Sequence, residues 1–492
     1  MIFPDEKQFL ADAKKFNIIP VLREERADFE TPLSIFVKTR AKFLLESVEH
    51  GENVGRYSII ALGKKCEIKI TSRRIQITEY QNSGNPTQDI SEMDNPLLRV
   101  KEYFKQFSAP DYPCLPPFFG GAIGYLGYET VQFFEDIPVK NGDSSIPDGL
   151  LIIPEVLLVY DTIKRSISII VSASPGKNPR LSYQEAVKKI EEISLSLSQK
   201  LNYNEPNAAP GKEINVRFNM DKDVFLEKVE ICKQNIMDGE IIQAVFSQKM
   251  LVETDISPFE LYRTLRILNP SPYLFFLDFE NFCLVGSSPE VMVRVQNKEI
   301  LLKPIAGTRP RGKNMAEDLT LSKELIDDPK EQAEHMMLVD LGRNDLGRVA
   351  TPGSVEVTDF MAVEKYSHVM HIVSTIKAEL DKSYDVFDVI RATFPAGTLT
   401  GAPKVRAMEI IAELEPDKRG PYGGMVFNLG FNGNMDSCIV IRTLILKDGL
   451  AVIQAGAGIV ADSVPEKEYQ ESINKSQALM EAIRITNEGR DQ

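Results

Sequence analysis

The stretch GGMVFNLGFNGNMDSCIVIRTLILKDGLAVIQA, residues 423–455, decides the fold. It reads as three strands in close succession, 423–432, 438–446 and 450–455, rich in β-branched and aromatic residues. Arg442 sits inside the apolar run 438–445, where a charge needs an anion, and a bidentate carboxylate would serve. Outward from this block, further strands are expected at 241–249, 273–279, 283–286 and 291–296, with β-rich runs at 74–80 and 152–160. Helical periodicity covers 182–199 and 221–238. The strand–helix alternation of a parallel sheet is missing. The pattern therefore predicts an α+β fold: large, mostly antiparallel sheets packed as a sandwich with helices on the outside. The polar, Pro- and Asn-rich segment 202–211 lacks periodicity and places a boundary near residue 210, dividing the chain into units 1–210 and 211–492.

Composition narrows the function. Among 492 residues, 57 Lys and Arg stand against 71 Asp and Glu, a net charge of −14 with no basic run, which argues against nucleic acid as a partner. No window approaches the roughly 18 apolar residues of a membrane span, and Met1-Ile2-Phe3-Pro4-Asp5-Glu6 lacks a secretory pattern, so a cytoplasmic location is expected. Five scattered cysteines without a CxxC indicate neither a disulfide framework nor a zinc site. Only four histidines, His50, His335, His368 and His371, are available for proton transfer near neutral pH, and the chain contains no tryptophan.

Candidate chemistry lies in five segments. In Lys303-Pro-Ile-Ala-Gly-Thr-Arg-Pro-Arg-Gly312, after the strand-like run 299–302, Gly307 lets backbone approach a ligand and Thr308 offers a hydroxyl. Asp328, Pro329 and Glu331 read as N-cap, first turn and capping-box residue of a helix that carries Glu334 one turn on and then enters the core. A second acidic helix follows Ser463, expected as N-cap with Glu466 completing the box; Glu468, Glu471 and Lys475 share one of its faces. If the two helices converge, their carboxylates need a divalent cation, and Mg²⁺ suits such a site. His368 and His371 are three apart, on one helical turn or on the same side of an irregular segment, and proton transfer suits one of them better than metal binding. Residues 394–404 form a Gly/Thr/Pro loop with hydroxyls at Thr398 and Thr400, opening a helix over 405–414 whose N-terminus could cradle an anion.

Taken together, PIAGTRPRG (304–312), EHMMLVDLGRNDLGRV (334–349), YSHVMH (366–371), GTLTGAPK (397–404), IVIRT (439–443) and QAGAGIVADSVPEKE (454–468) resemble the chorismate-utilising enzymes, in family order, over roughly residues 215–485. The N-terminal part is similar to the anthranilate synthase large subunit through Leu44-Leu-Glu-Ser47 and Gly55-Arg-Tyr-Ser58. The resemblance implies that Glu334 and Glu471 hold Mg²⁺ with support from Glu331 and Glu468. It also implies that Tyr422, Arg442 and the amides of Gly456, Ala457 and Gly458 bind the pyruvyl carboxylate of chorismate, and that Gly307, Thr308, Thr398 and Lys475 position the substrate. Glu290 would protonate the departing C4 hydroxyl and His371 would move the proton in pyruvate elimination. Ser47 and Pro272-Tyr273-Leu274 would line a site for tryptophan as feedback inhibitor.

Relatives that add water at C2 carry a basic lysine where Gln243 stands, and aminodeoxychorismate synthases typically carry a nucleophilic lysine where Ala306 stands. An amide and a methyl group supply neither water base nor nucleophile, which leaves ammonia as the attacking species. No glutaminase constellation is visible, so the resemblance implies a separate glutamine amidotransferase subunit, anthranilate synthase component II, as ammonia source. Two other readings compete: 4-amino-4-deoxychorismate synthesis, and a non-catalytic chorismate- or tryptophan-binding regulatory protein.

Overall fold

The structure, a computed structural model, describes residues 1–47, 55–80, 85–140, 145–203, 214–366 and 369–489. His50, His368 and the expected boundary near residue 210 lie outside the described residues. Two large sheets, antiparallel throughout, pack face to face. The first, of 13 strands, runs from Ile2–Phe3 at one edge to Gln243–Glu253 and Val216–Phe218 at the other, and the second, of 12, runs from Ile305–Pro310 to Thr87–Glu92. Both draw strands from either side of residue 210. In the first, Phe43–Glu46 pairs with Tyr273–Asp278; in the second, Gly121–Leu126 pairs with Met425–Gly430.

Three apolar layers follow. Between the sheets, Phe43, Leu157 and Phe275 from one meet Ile123, Tyr125 and Val426 from the other. Each outer face is covered by helices, as the sandwich expectation requires. Helix Pro179–Ser198 shows why: Asn178 caps it, Pro179 pre-sets its first turn, and Ala186, Ile190 and Leu197 fall four and seven apart, so one stripe is buried against strand Ser166–Ala173. Among the described residues no helix is long and apolar enough to cross a membrane.

The expected strand over 152–160 is two strands in different sheets, Gly149–Ile153 and Val156–Asp161. Pro154, which has no N–H for a ladder, marks the step. Helix Lys222–Met237 buries Phe225 completely against Phe246 and Tyr469, with ring centroids 5.0 and 5.4 Å away. Phe225→Ala should therefore cost about 3–5 kcal/mol, read as a lowered denaturant midpoint.

Candidate active site

The site forms where two adjacent chain segments pass from one sheet to the other. Strand Cys283–Ser288 lies in the first sheet and Val291–Gln296 in the second; Glu290 occupies the step. Met435–Ile439 and Thr443–Lys447 make the reverse passage, so the expected continuous strand 438–446 is broken and Arg442 does not lie within it. Arg442 has φ 49°, the left-handed turn that redirects the chain. The two steps are tied together: Ile439 N–H donates to the Glu290 carbonyl and Ser287 N–H to the Arg442 carbonyl, each at 3.1 Å.

Glu290 is buried, and desolvation pushes its carboxyl up to about 8 against the opposing pull of Thr398, Lys475 and Arg442. The Thr398 hydroxyl, on the 3-10 turn Gly397–Leu399, donates to Glu290 Oε1 at 2.9 Å. Thr400 turns instead to the Ala396 carbonyl and offers no hydroxyl to a ligand. Burial lowers the Arg442 pKa, with Glu290 and Tyr366 as the charges that counter it. Among the described residues its guanidinium has no ion-pair partner, which leaves the need for an anion inferred from sequence unmet by the protein.

The Lys303–Gly312 segment contains a strand, Ile305–Pro310, whose register against Val369–Glu379 slips between Ala306 and Arg309. Gly307 adopts φ 64° there, and a Cβ on it would stand 3.0 Å from Glu331 Oε2. His371 lies on the neighbouring strand, not on a helical turn or an irregular segment. Its Nδ1 is 2.8 Å from the Gly307 carbonyl and 3.1 Å from Thr308 Oγ1. A carbonyl can only accept, so Nδ1 carries the hydrogen and the neutral ring keeps its lone pair on Nε2. Burial lowers the His371 pKa and favours this neutral form. Ala306 sits opposite Ile372, beside His371. His335 is fully buried elsewhere, with Nε2 on Ser374 Oγ at 2.7 Å.

Helix Pro329–Gly347 starts at Asp328 as expected, but Glu331 closes no capping box; it pairs with Arg309 at 3.2 Å. The second acidic helix, Pro465–Glu488, has Val464 as N-cap without a side-chain bond, because the Ser463 hydroxyl accepts from Val460 N–H instead. Lys475 lies 2.8 Å from Glu471 and donates to the Gly456 carbonyl at 3.0 Å. Burial raises the pKa of Glu334, with the charge of Glu331 adding to it, and burial also raises that of Glu468; Lys330 and Lys475 act on both carboxylates. Gln243 joins the groups: its amide nitrogen is 3.5 Å from Glu334 Oε1, and a Cβ on Gly458 would stand 2.5 Å from it. Among the described residues no three acidic, imidazole or thiol groups form a ready metal cage. The desolvated carboxylates of Glu334 and Glu468, with the half-exposed Glu471 held by Lys475, instead fit a hard cation that takes one or two protein oxygens and completes its shell from substrate and water.

Strand Leu450–Ile459 pairs with Thr443–Lys447 only as far as Ile453. Beyond that residue, among the described residues, only the Gln243–Glu253 strand borders it, so alternate backbone groups around Gly456, Ala457 and Gly458 point away from that partner strand. Tyr422 is buried nearby in the sequence of turns that leads into strand Met425–Gly430, with the Arg419 guanidinium 5.6 Å from its ring centroid.

A separate cavity of about 250 Å³ opens between the sheets, lined in part by Ser47, Tyr273 and Leu274. Pro272 precedes this wall without lining it. Ser47 Oγ is buried and has no hydrogen-bond partner among the described residues. The Tyr273 hydroxyl donates to Asp436 at 2.8 Å, and Arg294 Nε donates to the same oxygen at 3.2 Å. Arg294 and Asp436 also line the cavity and escaped the sequence reading, since only the pairing of Val291–Gln296 with Met435–Ile439 brings them together.

Comparison with known proteins agrees with this geometry. Residues 40–481 match the chorismate binding enzyme family. Anthranilate synthase component 1 of Acetivibrio thermocellus is 45% identical over 99% of this chain and 100% of its own length, and that of Aquifex aeolicus is 44% identical over 98% and 97%. The crystal structure of anthranilate synthase component I from Streptococcus pneumoniae superposes with a TM-score of 0.77 at 36% identity, covering 92% of this chain and 98% of that one. The isochorismate synthase MenF of Escherichia coli shares the fold, with a TM-score of 0.70 at 19% identity over 97% and 98%. The chain therefore belongs to the chorismate-binding enzymes and, among them, to the anthranilate synthase component 1 family.

Proposed function

We propose that the chain is the aminase subunit of an anthranilate synthase, converting chorismate and ammonia to anthranilate and pyruvate, the first step of tryptophan biosynthesis. Ammonia would come from glutamine through a partner amidotransferase subunit. The observation that carries the reading is one arrangement of side chains: Glu290 holds a proton to about 8 by burial, while Gln243 and Ala306 supply no base and no nucleophile. The site has an acid to release a hydroxyl, and the attacking group must come from outside the protein.

In this reading the ammonia lone pair forms the bond to C2, both ring double bonds shift (C1=C2 to C1=C6 and C5=C6 to C4=C5), and the C4–O bond breaks as Glu290 gives its proton to the leaving hydroxyl. The attacking nitrogen then loses a proton. His371 Nε2 next removes the hydrogen on C2, the C3–O bond breaks, and the enolpyruvyl group departs to become pyruvate as the ring becomes aromatic. Arg442 and the backbone N–H groups around Gly456 and Gly458 would hold the pyruvyl carboxylate; Tyr422, Thr308 and Lys475 would border the substrate. Glu334 and Glu471, with Glu331 and Glu468 a turn away, would hold Mg²⁺, which would neutralise the ring carboxylate. The Ser47–Tyr273 cavity would take tryptophan, whose amino group suits the unpartnered Ser47 hydroxyl.

The purified chain given chorismate, Mg²⁺ and ammonium should produce the fluorescence of anthranilate, and Glu334→Gln should abolish Mg²⁺-dependent turnover. A non-aromatic aminated product would indicate 4-amino-4-deoxychorismate synthesis. Expressed per free ammonia, kcat/KM should fall as pH rises through about 8, where Glu290 loses the proton it must donate. Thr398→Val removes a hydroxyl that favours the charged carboxylate, so the limb should move up by about one pH unit. Ser47→Ala should leave kcat unchanged and weaken tryptophan inhibition; absence of calorimetric tryptophan binding to the wild type would end the inhibitor assignment.

A further inference from the structure

Behind the substrate contacts lies an ion pair that the reaction scheme does not use. Arg419 and Glu415 are 2% and 3% exposed, joined by Arg419 Nε to Glu415 Oε2 at 2.8 Å and Nη2 to Oε1 at 2.6 Å. Burying two charges is expensive, and such a pair need not add stability over apolar side chains of the same volume. Its remaining bonds show what it fixes. Arg419 Nη1 donates to the Leu399 carbonyl and Nη2 to the Val245 carbonyl, each at 2.6 Å. Leu399 follows Thr398, the residue bonded to Glu290, and Val245 is two residues beyond Gln243 on the same strand. Glu415 also accepts from Ser247 N–H at 2.9 Å and from its hydroxyl at 2.7 Å, and Ser247 is the register partner of Gly456. The guanidinium lies 4.5 Å from the Tyr128 ring centroid and 5.6 Å from that of Tyr422. From the opposite side Glu129 accepts the backbone N–H groups of Arg419 at 2.5 Å and Gly420 at 2.8 Å.

We propose that Arg419 is a positioning residue of the active site: through Leu399 it holds Thr398 against Glu290, and directly at Val245 and through Glu415 at Ser247 it fixes the strand that carries Gln243 and pairs with Gly456–Gly458. A lysine keeps the charge but lacks the planar fork that reaches three acceptors at once. Released from Arg419, the Thr398 turn would no longer hold its hydroxyl on the Glu290 carboxylate, where Lys475 and Arg442 are the other charges present.

The inference rests on the aminase reading for its kinetic consequence but not for its structural one, so two readouts are needed. Arg419→Lys should lower kcat by roughly 10- to 100-fold and raise KM for chorismate, as a displacement of about 1 Å does elsewhere. Independently of turnover, the Glu290 carboxyl can be titrated by its infrared band, identified by its loss in Glu290→Gln. Its midpoint should rise in Arg419→Lys as it does in Thr398→Val. A well-folded Arg419→Lys enzyme with unchanged KM and an unchanged Glu290 midpoint would overturn the proposal, as would a Thr398→Val enzyme whose midpoint does not move. If Arg419→Lys does not fold, Glu129→Gln decides by the same two readouts, since it loosens the same backbone with little change of volume. If the wild type makes no anthranilate, the reaction assignment fails and the infrared comparison still tests the role of Arg419.

Discussion

Everything in the site depends on two neighbouring strand segments leaving one sheet for the other at the same level. A sandwich fills its interior with apolar side chains, and a strand that stays in its sheet offers a polar group only a place between apolar neighbours or in solvent. At the passages through Glu290 and Arg442 the ladders are interrupted, and a small polar volume opens inside a dry protein. The reciprocal backbone bonds, Ile439 to Glu290 and Ser287 to Arg442, hold the two interruptions in register. An acid and a cation thus stand together without a side chain of either having to cross the core.

Burial then sets the protonation states. It raises Glu290 and Glu334, and lowers His371 and Arg442. Each shift favours the neutral form of its group, as desolvation must. The opposing charges are supplied sparingly: Lys475 acts on both Glu290 and Glu334, and Arg442 acts on Glu290 while also disfavouring charge on His371. In the proposed reading, an anionic ligand with its own cation would supply charges to complement these groups.

Much of this was legible in the sequence where residue type alone carries the signal. The β-rich run 74–80, the Asp328–Pro329 helix start and Gly307 each state a local preference that tertiary structure kept. What the sequence concealed were the places where two partners compete for one group. Residues 438–446 have unbroken strand character, yet the strand divides, because continuity of composition says nothing about which sheet each half joins. Ser463 and Glu466 fit a capping box, but Ser463 bonds backward to Val460. Glu331 fits one too, but Arg309 arrives from a distant strand. Arg294 and Asp436 have no local pattern, and the i,i+4 spacing of Glu415 and Arg419 says nothing of the Leu399, Val245 and Ser247 contacts that give the pair its meaning.

The same passages bear on how a ligand in the Ser47–Tyr273 cavity could be felt at the site. Tyr273 stands opposite Ser288, two residues before Glu290, and Arg294 follows Glu290 on the strand that leaves the passage. Asp436, bonded to both, lies on the strand that runs on through Ile439 toward Arg442. Part of the cavity wall, Arg294 and Asp436, therefore lies on the same two segments that pass through Glu290 and Arg442, and Tyr273 is bonded to it from the neighbouring strand. A ligand that moved the Tyr273–Arg294–Asp436 group would have to move the ends of those strands or break their register. If the cavity takes the inhibitor as proposed, packing of the sheets as units would carry a small displacement there to Glu290 without any contact between inhibitor and substrate.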